Sequence, residues 1–191
     1  EVSAYGGWDE VAQWGAVLYP EVRGLSSALE KVLARIKSEH QSESDRLRAA
    51  LDYVQNDIRY FGMEMGTGSY RPRHPNLVAK QGYGDCKDKS YLLITLLSRL
   101  GYEAYPVAVN TSYRARIDEH VPSPEMFNHI ITMIRLDEPV FVDPTRSYQG
   151  GPLERRYIPS YGRGLVFTES SQGLVDVVVP DGARGEIIAS E

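Results

Sequence analysis

The sequence predicts an α+β domain, with helices packed on an antiparallel β-sheet. Helix-period apolar runs fill the first hundred residues, and short β-branched runs fill the rest. A glycine-rich stretch precedes the strongest helix. Helices first and strands afterwards separates this pattern from alternating βα units, which would give a parallel sheet.

Taken in order, Trp8, Val11, Trp14, Val17 and Leu18 stand at mixed helical spacing and predict a short helix, its two tryptophans core anchors. Leu25, Ala28, Leu29, Val32, Leu33 and Ile36 follow the i, i+3, i+4, i+7 pattern of an amphipathic helix, with Ser27 and Glu30 as its capping box. KSEHQSES (37–44) reads as a polar connection. A further helix starts near Ser44, with Leu47, Ala50, Leu51, Val54 and Ile58 on one face. From 59 to 83, Gly62, Gly66, Gly68, Pro72, Pro75 and Gly82 argue against a long regular element. Tyr60, Phe61, Tyr70, His74 and Tyr83 make this loop a candidate cleft wall.

The strongest helix runs from Cys86 to Leu100, with Leu92, Leu93, Leu96, Leu97 and Leu100 as its buried face. Asp85 sits where an N-cap belongs and Gly101 where a C-terminal glycine belongs. Strands are expected at 103–111, 128–136, 140–142, 164–168 and 174–179. Asp137-Glu138-Pro139 supplies turn chemistry for a hairpin between the second and third.

Composition narrows the function classes. The chain has 191 residues, enough for one domain with a sizeable core, and its 42% apolar and 25% charged residues are ordinary for a soluble globular protein. A net charge of -5 gives no general electrostatic case for nucleic acid or an anionic membrane. The arginine pairs Arg71/Arg73 and Arg155/Arg156 read as solvated surface. No apolar run is long enough for a transmembrane helix, and the first residues lack the pattern of a signal peptide. One cysteine allows neither an internal disulfide nor a cysteine-rich zinc site and leaves the compartment open.

That cysteine carries the chemistry. Cys86 follows Gly82-Tyr83-Gly84-Asp85 and so falls in the first turn of a long helix, where free N–H groups and the helix dipole favour a thiolate. Lys87 and Lys89 add positive potential there, and Asp85 and Asp88 oppose it, so activation needs a nearby histidine. His40 and His120 lie in polar loops, and His74 in RPRHPN reads as a surface residue. His129 instead opens an apolar strand, and Asp143 ends the following one. The two stand directly opposite only if the hairpin centres near Leu136; otherwise they meet diagonally or through a bulge. A helix-borne Cys, a strand-borne His and a neighbouring carboxylate make a nucleophile, a base and an orienting group. For the oxyanion, the Cys86 N–H is one donor, with Gln81 and then Tyr83 as candidate side chains, and Asn128 as support for the histidine strand. Metal binding by Cys86 with His129 is weak, because two ligands do not complete a tetrahedral site. No cofactor or metal is expected.

GYGDCKDKSYLLITLLSRLGYEAYPVAVNT, FNHIITMIRL and VFVDPT together resemble the transglutaminase-like superfamily, in particular the bacterial branch whose core follows an N-terminal domain of unknown function. The resemblance runs from Trp8 to Tyr161. It implies a papain-like α+β fold, a Cys86, His129, Asp143 triad, a protein or peptide substrate, and membership of a larger, exported or periplasmic bacterial protein. The expected organisation is a single domain, 1–191, comprising a packing segment (1–24), the core (25–165) and a C-terminal strand and tail (166–191). The reaction expected is acyl transfer from an amide through a thioester, with hydrolysis favoured over transamidation. A catalytically silent peptide-binding or scaffold module is the alternative.

Overall fold

The computed structural model describes residues 3–62 and 70–179. The expected loop residues 63–69, Gly66 and Gly68 among them, and the expected tail residues 180–191 lie outside them.

Among the described residues of the first half stand five α-helices: α1 (Trp8–Ala16), α2 (Ser27–Glu39), α3 (Glu43–Asn56), α4 (Pro75–Gln81) and α5 (Cys86–Leu100). Ser26, not Ser27, caps α2 by accepting a hydrogen bond from the Leu29 N–H, so the expected box with Glu30 is one residue out of register. Ser42 caps α3 in the same way, which shortens the polar connection to three residues. The described parts of the 59–83 stretch, 59–62 and 70–83, are more regular than their glycines and prolines suggest. Pro75 enters α4 at its first turn, where no N–H is needed, and His74 caps it through Nδ1. The two-residue strands β1 (Arg59–Tyr60) and β2 (Tyr83–Gly84) pair in parallel across the base of the stretch.

Five strands form the main sheet: β3 (Ala104–Val109), β4 (His129–Ile134), β5 (Val140–Val142), β6 (Arg163–Val166) and β7 (Leu174–Asp176). The spatial order is β5-β4-β3-β6-β7, every pair antiparallel. Period two gives the sheet two apolar faces. Ile134 and Val142 pack with Leu92, Leu93, Leu96 and Leu97 of α5 and with the buried faces of α2 and α3. Val107, Val109, Ile131 and Phe141 pack instead with Ile158 and Tyr161 from the segment between β5 and β6.

Helix α1 docks at a third cluster, with Val11 and Ala12 against Ala108, Leu165 and Phe167. Gly15 makes this approach possible, since a Cβ there would stand 2.5 Å from the Phe167 ring.

The topology sets the site. Helix α5 ends at Gly101, whose φ of 94° suits glycine, and β3 runs back alongside. The end of β3, the start of β4, the end of β5 and the N-terminus of α5 therefore meet at one end of the molecule.

Candidate active site

Cys86, His129 and Asp143 occupy that end. Cys86 is the first residue of α5 and is almost buried. Asp85 caps the helix by accepting from the Asp88 N–H, and Asp88 accepts from the Asp85 N–H, a reciprocal capping box. The other charges nearby are spent on partners. Lys87 pairs with Asp85, and Arg73 reaches Asp88 through both its N–H and its guanidinium. Lys89 turns into the interior, fully buried, and donates to the carbonyls of Ile58 and Gln55 at the end of α3. Neither lysine offers Cys86 a free ammonium, contrary to the potential expected from the sequence. Burial drives the Lys89 amine down to about 8, against a smaller upward pull from Asp143.

His129 opens β4 opposite Val109. Its Nε2 lies 3.1 Å from Asp143 Oδ2, which leaves Nδ1 for the Cys86 thiol. Burial disfavours a charged imidazole, but hydrogen bonds to Asp143 and Cys86 and their negative charge outweigh it, pushing His129 up to about 10. Burial would likewise raise Asp143. The His129 contact and the hydroxyls of Thr145 and Tyr161 bring it down to about 2 instead. Its Oδ1 accepts from Thr145 N–H and Oγ1, and its Oδ2 from Tyr161 at 2.7 Å.

The backbone of Asp143 is held from behind. Gln55 Nε2 donates to its carbonyl at 2.9 Å, Arg156 donates to Gln55 Oε1, and Asp52 pairs with Arg156 at 2.6 Å. Arg156 is therefore buried and ion-paired, not the solvated surface residue expected of the Arg155/Arg156 pair.

Cys86 and His129 open into a cavity of about 240 Å³, walled by Trp14, Leu18, Tyr19, Tyr70, Phe127 and Phe167. Trp14 is thus a cavity wall, its ring edge-on to Tyr70 at 5.3 Å, whereas Trp8 packs on Phe127 as an anchor. A larger cleft of about 590 Å³ lies beyond Tyr19 and Phe167, but it holds neither Cys86 nor His129.

The supporting residues fare differently. Gln81 and Tyr83 do not line the cavity. The Gln81 amide donates to the Tyr83 carbonyl, and the Tyr83 ring lies against Phe61 and under Arg73. Short-range contacts hold both within the turn. Asn128 borders the cavity, but both ends of its amide engage Thr111, tying the start of β4 to the end of β3. Trp14 is expected from the sequence as a core anchor, and Tyr19, Phe167 and Tyr161 are not singled out there for the site. The first three are ordinary core-forming types, and Tyr161 belongs to no regular element.

No protein-family model matches the chain, and no curated protein matches it. Among solved structures, a Parabacteroides distasonis protein described as a "putative protease" superposes with a TM-score of 0.66 at 14% identity, over 91% of this chain and 31% of its own. Another, described as a TGase, superposes with a TM-score of 0.47 at 15% identity, over 75% of this chain and 39% of its own. The chain spans about a third of the length of these two proteins. At such identity the likeness to the first of these is one of fold alone, an α+β core of helices packed on an antiparallel sheet.

Proposed function

We propose that this chain is a cysteine-nucleophile acyl-transfer enzyme acting on amides, with Cys86, His129 and Asp143 as nucleophile, acid–base and orienting group. The observation that carries this reading is the junction of all three at one end of the fold, with the imidazole bonded to a buried carboxylate and beside the lone thiol. The Cys86 sulfur attacks the amide carbonyl carbon, and the carbonyl electrons move onto oxygen. The C–N bond then breaks as His129 hands its proton to the departing amine, leaving a thioester on Cys86. Water resolves the thioester, with His129 taking a proton from it, and releases the acid. The Cys86 N–H at the helix start is a donor for the oxyanion.

The cavity size bears on the substrate. About 240 Å³ suits one side chain or a small amide, not an extended polypeptide threaded through a groove. Lys87 and Asn128 of its lining are committed to Asp85 and Thr111, Glu125 brings a carboxylate to its exposed edge, and aromatic rings supply most of the remaining contact. The substrate is accordingly an acyl group of side-chain size joined by an amide, as in a side-chain or isopeptide linkage, and hydrolysis is the favoured outcome. A larger parent protein, exported in bacteria, would present this core to peptide or protein partners.

The test compares wild type with Cys86→Ala on a mass-spectrometric library of peptide side-chain amides and small amides. Turnover by wild type alone, with an acyl adduct trapped on Cys86, is the expected result. Equal turnover by both, or none by either, overturns the proposal.

A further inference from the structure

We propose that Tyr161 is a positioning residue of this site. Its hydroxyl proton shares Asp143 Oδ2 with the His129 ring and so sets how tightly the carboxylate holds the imidazole. The proposal rests on the reading of Cys86, His129 and Asp143 as one chemical set.

Three observations carry it. Tyr161 donates to Oδ2 at 2.7 Å, the oxygen that His129 Nε2 approaches at 3.1 Å, so two donors compete for one oxygen's electrons. The Tyr161 ring lies 5.7 Å from the His129 ring, centroid to centroid, tilted by 41°. Tyr161 itself is buried in the second core with Val107, Ile131 and Ile158, so its ring is held independently of the bond it makes.

The charges around this oxygen come from every element packed on it. Thr145 fills the other oxygen with two donors, Lys89 acts on Asp143 from α5, and Cys86 acts on His129. Arg146 and Tyr157 act on Tyr161. Burial and the Asp143 charge keep the Tyr161 proton in place. Because Thr145 still grips Oδ1, removing the Tyr161 hydroxyl does not release the carboxylate. It returns electron density to Oδ2 and tightens the grip on the imidazolium.

The experiment follows the His129 ring by NMR pH titration in a Cys86→Ala background, with and without Tyr161→Phe. Phenylalanine keeps the ring over His129 and deletes only the hydroxyl. His129 should hold its proton about threefold to tenfold more tightly in Tyr161→Phe, an upward move of about half a unit to one unit. Superimposable titrations overturn the proposal. A second reading covers the case in which Tyr161→Phe does not fold. With the tyrosine retained, its hydroxyl proton should give a protected resonance with a nuclear Overhauser contact to the His129 ring, and its absence overturns the proposal as well. Both measurements are made without the thiol. A failure of acyl transfer on the library therefore strikes the functional reading alone, and a failure here strikes Tyr161 alone.

Discussion

Asp143 meets His129 diagonally across the β4–β5 pair. Thr132 faces Val142 and Ile134 faces Val140, which places Asp143 opposite Ile131, two residues along from His129 on the same face. The hairpin turns about Asp137, not Leu136, and the carboxylate reaches the ring across the diagonal.

This contact yields the first prediction. Asn at position 143 keeps the shape and removes the charge that supports the imidazolium. Asp143→Asn should slow turnover by about 10³ to 10⁴. It should also slow Cys86 labelling by iodoacetamide near pH 7, followed by intact mass. Labelling as fast as wild type would show that the carboxylate does not act on the thiol.

The same pair fixes a window of stability. His129 is raised in the fold, so its contribution is complete below about 6.5 and disappears as pH climbs through about 10. Asp143 is lowered, so its contribution is complete above about 3.9 and disappears as pH falls through about 2. The gap in Tm between wild type and His129→Gln should be widest between those inner limits and narrow toward pH 10. Calorimetry across pH 4–10 checks it, and a gap that widens toward pH 10 would reverse the assigned sign.

Lys89 offers a test remote from the cavity. Its ammonium satisfies carbonyls at the end of α3, and its stem is fully buried. Lys89→Met fills the space of the stem but removes the ammonium from the Ile58 carbonyl, while Gln55 keeps the Ser147 hydroxyl, and the loss costs about 1–3 kcal/mol. Urea unfolding at pH 7 should show this loss with an unchanged m-value.

Gly15 tests the cavity wall. A side chain there meets the Phe167 ring, so Gly15→Val should displace α1 and with it Trp14 and Tyr19. The expected loss is about 1–3 kcal/mol, the range for an overpacked core. Turnover should fall while the His129 titration stays put, a split that NMR and kinetics read separately.

Much of this architecture was legible beforehand. The α5 boundaries, its Asp85 cap and the positions of the strands along the chain follow from helical period, capping chemistry and turn residues, all of which act over a few residues. Cys86, His129 and Asp143 were legible for the same reason, each lying at the edge of a regular element. Gln81 and Tyr83 stand outside the cavity lining, since their orientation depends on bonds inside a glycine-bounded turn, which spacing does not encode. Arg156 reads in sequence as solvated surface and Lys89 as positive potential beside Cys86, and both are buried, because only the third dimension brings Asp52 and the end of α3 to them. Tyr161 is the extreme case, an irregular-segment residue 18 positions from the carboxylate it touches.

One turn beyond the nucleophile, Lys89 works as a key in a shaft. Side chains three positions apart on a helix point in nearby but distinct directions. For α5 to roll about its axis, an ammonium would have to leave the carbonyls it occupies inside the protein. The azimuth of the sulfur is thereby indexed to the far end of another helix, and aim at the imidazole becomes a property of the whole scaffold.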